Sequence, residues 1–464
     1  MHINRDKYMR NDYLYACVAY NMANDAKGDD QMNSKSKIML GIAVALMFVA
    51  VPLTVMSENA EGAPAGWTPA VGWDSVNVAA NADPVVGGTA LKTAIEGAAA
   101  NTVIWVAAGT YAVDEIKITN KNLAIAALDN TKVTIRPTDA NTTSVFRLEG
   151  TSNVIFDNLS IAGVNMGISG NAISGGWYGG AGLPGWAYTG NMDINNCTIS
   201  GFGKYGVTLG SYGGAELKTQ KLEIKNSTFT GVKLIHNAVE DRDSAPNAIG
   251  IMSGGTLNIW NTKISNVKAT SPEEGWFGFG IATWGNATLN FKDDKTRITN
   301  CDYMIGMNDG GTINGTVSDG KNVVVFDEVV IEGDFLDGKG VGIKQGDNAI
   351  VIERNLDDGK ITVVKGTVEL DVDLGDATVT VNKDAMVILL QEYDEDGLEF
   401  LDGAKVKLGE GGAFGDLEDG IVYVANADGD FSEYSEPDMF PWYVVAAALV
   451  AIAAIVAIMV IKRK

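Results

Sequence analysis

The sequence predicts an all-β protein: a right-handed parallel β-helix solenoid with an N-terminal capping helix, an acidic β-rich region and one C-terminal transmembrane helix. Three observations lead there. Alternating apolar residues around a fixed asparagine recur five times. Glycine, at 55 of 464 residues, favours tight turns over long helices. Two long apolar runs bracket the chain.

In chain order, residues 38–55 are apolar, follow Lys35 and Lys37 and precede the polar Ser57-Glu58-Asn59. A basic segment, an apolar core and small residues at its end define a secretory signal, so residues 32–60 read as a signal peptide. An uncleaved anchor is the alternative. Met32 stands just before the basic residues, and residues 1–31 read as a mis-assigned start or an extension. Residues 61–316 hold the solenoid. Its first element is a helix from Thr89, in which Leu91, Ala94, Ile95 and Ala98 form one apolar face at i, i+3, i+4, i+7.

The repeats follow as VIFDN-LSIAG, MDINN-CTISG, LEIKN-STFTG, LNIWN-TKISN and TRITN-CDYMI. Their asparagines are Asn158, Asn196, Asn226, Asn261 and Asn300, spaced 38, 30, 35 and 39 residues apart. Period-two alternation on both sides of a turn residue means two strands meeting at a corner. A third strand per coil is read at Met166-Gly-Ile-Ser, Tyr205-Gly-Val-Thr-Leu, Ala248-Ile-Gly-Ile-Met and Phe279-Gly-Ile-Ala-Thr. Three strands per coil, without intervening helices, stack into a parallel solenoid. Asparagine suits the corner because it tolerates a left-handed backbone, and stacked amides can bond from coil to coil.

These repeats resemble the pectate-lyase-like right-handed β-helix superfamily, which carries an inward asparagine ladder at its second turn. The segment from Thr89, followed by Thr102-Val-Ile-Trp-Val-Ala-Ala-Gly-Thr-Tyr, looks like the capping helix and first coil of that family. The resemblance covers about half the chain. It implies a fold that hosts lyases, hydrolases, adhesins and structural spikes alike, with substrate bound along the first sheet between its flanking loops. Cys197 and Cys301 each follow a ladder asparagine, three coils apart. At ~4.8 Å per coil that is ~14 Å, too far for a disulfide, so free buried thiols are expected.

Candidate binding residues come from the long loops. Trp177, Tyr178, Trp186 and Tyr188 lie in a glycine-rich loop, and Trp276 and Trp284 lie about three coils on. Their flat rings could stack on sugars or fold over a sheet edge. A second loop carries His236, Glu240, Asp241, Arg242 and Asp243, candidates for acid–base chemistry or an ordinary solvated loop. Family galacturonase motifs built on histidine and on Arg-Ile-Lys are missing. With only His2 and His236 in the chain, chemistry by paired imidazoles is excluded.

Residues 317–439 change character, with strict alternation and Asp-Gly turns. They read as an acidic stalk or as an extension of the solenoid. This region holds 30 acidic and 9 basic side chains, a net of −21 within the whole chain's −23. Asp394, Asp396, Asp428 and Asp430 are weak calcium candidates, lacking EF-hand spacing, and no other cofactor is implied. Residues 442–461 form an uncharged apolar run closed by Lys462, Arg463 and Lys464, long enough to span a bilayer with the ectodomain outside. The expectation is therefore a single-pass cell-membrane protein with an extracellular, adhesin-like ectodomain. Its expected partners are a polysaccharide or envelope glycan, and lipid through the C-terminal helix. The alternatives are a membrane-tethered polysaccharide lyase or glycoside hydrolase, and a purely structural envelope component. Nucleic acid is excluded, since an acidic surface protein offers no basic footprint.

Overall fold

The computed structural model describes residues 72–434, apart from 140–141, 164–169, 177–185, 211–218, 232–245, 253, 270–276, 309 and 332–339. The signal peptide, the C-terminal span and residues 1–31 lie outside the described residues. Among the described residues, no helix is long and apolar enough to cross a membrane.

Period-two alternation builds three parallel sheets, here A, B and C, visited in that order by each coil. Seven coils, numbered as rungs, begin with the sheet A strands Thr102–Val106, Leu123–Ala127, Val154–Asp157, Met192–Asn195, Lys221–Lys225, Gly255–Trp260 and Ala287–Phe291. Phe156, Ile194, Ile224, Ile259 and Phe291 stand in register down sheet A. Ile161, Ile199, Phe229, Ile264 and Ile298 do the same down sheet B. All of these side chains are buried. Each contributes roughly 1.5–3 kcal/mol by leaving water, which is why register is fixed: a one-residue slip would turn a whole column outward. Parallel crossovers of this kind are right-handed.

The capping helix α1 (Pro84–Gly97) begins earlier than Thr89. Asp83 accepts N–H bonds from Val85 and Val86, and Pro84 occupies the first turn. Leu91 and Ile95 are fully buried as predicted, with Ala94 and Ala98 packed beside them. Gly88 permits the close approach of helix to coil, since a Cβ there would lie 1.8 Å from the Ala112 carbonyl oxygen.

The corner asparagines adopt the left-handed backbone, with φ of 55° at Asn158, 53° at Asn196, 51° at Asn226 and 41° at Asn261. Their side chains are half-buried or exposed at the corner rather than turned into the core. Asn300 is a correction. The preceding Arg297–Thr299 pairs with Lys263–Ser265 in sheet B, so Asn300 stands at the B-to-C corner, where its Nδ2 donates to Asn266 Oδ1 at 2.5 Å. In rung 7 the A-to-B corner is instead the longer Lys292-Asp293-Asp294-Lys295, and Asp293 accepts the Asn261 N–H. A strand–Asn–strand pattern looks alike at either corner, which is how the sequence misassigns it. Cys301 therefore does not match Cys197, and their spacing cannot be counted as whole coils. Both are nevertheless free and buried, and burial pushes both thiols up to about 12.

The third strand of rung 3 is Asn171–Gly175, with Ile173 in register with Phe146 and Val207. The predicted strand at 166–169 falls largely outside the described residues. A second ladder went unpredicted. Asn101, Asn122, Asn153 and Asn191 stand just before successive sheet A strands and bond from rung to rung at 2.8–3.1 Å.

Past rung 7 the chain reverses at an Asp319-Gly320 turn, so Val323–Ile331 runs antiparallel to Gly311–Ser318. Sheets A and C then continue without sheet B. The long strand Asp358–Asp373 pairs with Thr378–Val381 in sheet A and with Ala385–Leu389 in sheet C. One buried apolar cluster runs from Val78 to Tyr423. The acidic region up to residue 434 is thus joined to the solenoid by strand pairing and a shared core. Phe400, Phe414 and Phe431 close its far end with centroids 5.1–5.9 Å apart.

Candidate functional site

Sheet C departs from simple alternation. Ala172 and Ile173, Ala248 and Ile249, and Met304 and Ile305 are consecutive pairs that both enter the core. The residues flanking each pair therefore face outward together. One outward column reads Asn171, Tyr205, Asn247, Phe279, Tyr303; the other reads Ser174, Thr208, Gly250, Ala282, Gly306.

The two columns interlock. A Cβ on Gly250 would lie 3.2 Å from the Tyr205 ring, one on Gly306 2.3 Å from the Phe279 ring, and one on Gly342 2.7 Å from the Tyr303 ring. Each aromatic ring thus lies across the glycine of the next rung. Phe279 and Tyr303 stack at 5.2 Å with an interplanar angle of 23°, and Phe277 meets Tyr303 edge-on at 5.0 Å. Trp284 and Phe277, both half-buried, pack over this cluster. In rungs 6 and 7 the outer face of sheet C is covered by the protein's own aromatic rings; Phe279 and Tyr303 are buried there, and Phe277 and Trp284 keep part of their surface in water.

Its far margin is polar. The Tyr303 hydroxyl donates to Glu353 Oε1 at 2.6 Å, and Lys344 Nζ donates to Glu353 Oε2 at 2.5 Å while lying 4.6 Å from the Tyr303 ring centroid. Burial, then the Glu353 hydrogen bond, pushes Tyr303 above its ordinary range. Burial opposes charge on Lys344, but the bonds and charges of Glu353 and Tyr303 prevail and raise it. Both groups keep their protons at neutral pH, so the cluster locks charge rather than supplying a base. The near margin carries Arg147, 3.8 Å from the Trp186 ring centroid and paired with Glu149 at 2.5 Å and Glu115 at 3.5 Å. Lys117 also reaches Glu149 at 2.7 Å.

Of the predicted residues, Trp186 and Trp284 sit on this face. Tyr188 does not offer a ring to a ligand: it is closed to solvent and its hydroxyl donates to the Asn191 carbonyl at 2.7 Å. Trp177, Tyr178, Trp276, Glu240, Asp241, Arg242 and Asp243 lie outside the described residues. The strands Asn171–Gly175, before the segment of Trp177 and Tyr178, and Asn247–Ile251, after that of Glu240 to Asp243, stand two rungs apart in sheet C. Asp394 stands at the N-cap of a short 3-10 turn, Glu395–Gly397, that contains Asp396, and both line a cleft of about 500 Å³ with Asp373 and Asp376. Asp428 and Asp430 donate their N–H groups to Asn426 Oδ1 in a tight turn. Among the described residues, no three carboxylate, imidazole or thiol groups converge as a metal site.

The aromatic paving was missed in the sequence although its signal was present. Tyr205, Phe279 and Tyr303 open their strands, and a glycine follows on the next rung. Lys344 and Glu353 carried no signal, because a hairpin unlike the preceding coils brings them to Tyr303.

No family model and no curated protein matches the chain. Among solved structures it is similar to pectate lyase Pel9A, with TM-score 0.37 and 9% identity over 76% of this chain and 80% of that one. It is similar to the PL6 family alginate lyase AlyGC, with TM-score 0.33 and 12% identity over 74% of this chain and 39% of the lyase. It is also similar to a family 28 exopolygalacturonase of Yersinia enterocolitica, with TM-score 0.24 and 11% identity over 74% and 78%. The assignment to the parallel β-helix fold follows from the strand register above.

Proposed function

We propose that this chain is a membrane-anchored extracellular β-helix protein that binds polysaccharide on the outer face of sheet C without cleaving it. The observation that carries this reading is the aromatic surface formed by the half-buried Phe277 and Trp284 over the Phe279–Tyr303 stack. Flat rings present π faces to the C–H faces of sugars. The outward positions of the strands from Asn171–Gly175 to Tyr303–Met307 carry no carboxylate, which favours binding over acid–base cleavage on the strand face itself. The apolar run at 442–461 supports surface attachment.

The test is a glycan array and an acidic-polysaccharide panel presented to the full chain in detergent, followed by binding and by absorbance of unsaturated product. Binding with flat absorbance is expected, falling about tenfold or more in the double variant Phe277→Ala, Trp284→Ala, as loss of stacked rings requires. Appearance of unsaturated product or new reducing ends would replace this reading with a lyase or hydrolase. Binding by neither wild type nor variant would leave the structural envelope role.

A further inference from the structure

The outer face of sheet A, away from the aromatic surface, carries a different chemistry. In rungs 3 to 5 its outward positions are Ile155 and Asp157, then Asp193 and Asn195, then Lys221, Glu223 and Lys225. Asn195 stands in register with Asp157 on one side and Lys225 on the other, and Asp193 lies two residues before Asn195 on the same strand face. Neighbouring strands are about 4.8 Å apart, so Asp157, Asp193 and Asn195 bound one small patch.

The charge in this patch is unbalanced. Lys225 is committed to Glu223 at 2.7 Å and lies over the Trp260 ring at 4.8 Å. Asp157 receives one bond, from Asn196 Nδ2 at 2.9 Å. Asn195 is 9% exposed, and its Oδ1 is closed to solvent with no hydrogen-bond donor. A buried carboxamide oxygen without a donor is costly, and in the two register rows that hold Asp157, Asp193 and Glu223 the single cation is Lys225. Two carboxylates and an orphaned amide oxygen, all hard oxygen donors, thus occupy neighbouring positions on one sheet face.

The geometry points to a binding site for a hard divalent cation of the calcium type, held by Asp157, Asp193 and Asn195 Oδ1 with water completing its shell. Calcium takes six to eight oxygen ligands in flexible geometry and accepts amide oxygens beside carboxylates, whereas magnesium demands a tighter octahedron. The ion would supply the missing charge and the missing partner at once, tying rung 3 to rung 4 from outside.

Terbium luminescence tests the site in the full chain. Trp260 lies two strands from Asn195 on the same face, about 10 Å away, close enough to sensitise a bound lanthanide. Excitation of tryptophan should give terbium emission that calcium displaces and magnesium displaces poorly. Asp157→Asn and Asp193→Asn should each weaken that signal at least tenfold. Trp260→Phe should dim the emission while leaving intact the calcium-induced rise in Tm, expected at about 3 °C or more at 100-fold excess over Kd. Asn195→Leu serves as a further variant that keeps both carboxylates and should weaken binding. Terbium emission unchanged in both aspartate variants, or a wild-type Tm equal in calcium and in chelator, overturns the proposal.

Discussion

Nδ2 of Asn261 donates to Oδ1 of Asn226 across 2.8 Å, joining two successive corners that both turn through the left-handed region. The residue type does two separable things there. It adopts a positive φ, which costs most L-residues about 1–2 kcal/mol. It also supplies an amide for the rung above. Asn226→Gly keeps the first and loses the second, so it should cost about 1 kcal/mol. Asn226→Ala loses both and should cost about 2–3 kcal/mol. Elsewhere glycine is usually the more damaging choice. Urea unfolding that ranks alanine above glycine in stability would contradict the left-handed corner.

The helix that opens the solenoid is held from the next coil. Lys121 Nζ donates to the carbonyls of Ile95, Glu96 and Ala98 at 3.2, 2.7 and 3.1 Å, capping the carbonyl end of the helix. Burial lowers its affinity for the proton, with Glu96 opposing that shift. Lys121→Met keeps the apolar stem and removes the cation, so it should destabilise by about 1–2 kcal/mol. The loss should be local, seen as faster hydrogen exchange at the C-terminal turn of α1 before global unfolding changes.

Much of this architecture was legible because solenoid coils repeat the same local physics. Alternation places Ile194, Ile224 and Ile259 in one column, and an asparagine before a new strand marks the A-to-B corner of rungs 3 to 6. What local patterns cannot distinguish is which of two similar corners they mark, and Asn300 fell to the wrong one for that reason. The sheet C face was harder still. Its outward residues are selected by a pair of consecutive inward residues, such as Met304 and Ile305, which breaks the two-residue period from which facing is inferred. The Tyr303–Glu353–Lys344 cluster depends on a hairpin that departs from the coil rhythm altogether.

The fit of ring over glycine gives a third prediction. Gly306→Ala would place a methyl 2.3 Å from Cε1 and 2.6 Å from Cδ1 of Phe279, so the ring must leave its stack on Tyr303. Overpacking of this kind costs about 1–3 kcal/mol. Adding Phe279→Leu should recover part of that loss, because the two changes share one space and are not additive. Thermal unfolding of the two single variants and the double variant measures the coupling. Additive losses would mean that the ring does not depend on the glycine.

Glu149 gives a pH dependence with a definite sign. Its carboxylate is largely buried, which by itself would raise its proton affinity, but bonds from Lys117 and Arg147 prevail and hold it below the ordinary value of 4.5. The unfolded chain therefore takes up a proton here at higher pH than the folded one. The stabilisation is fully present above about pH 4.5 and is lost as pH falls through the lower folded value. Glu149→Gln removes it at every pH, so the variant should lie about 1–3 kcal/mol below wild type near neutrality. Below pH 4.5 the two stability curves should converge, with wild type losing the more. Trp186, resting on Arg147, offers a fluorescence signal for the same step. A gap between wild type and variant that stays constant down to pH 3 would show that the two cations do not hold Glu149 in its ionised form.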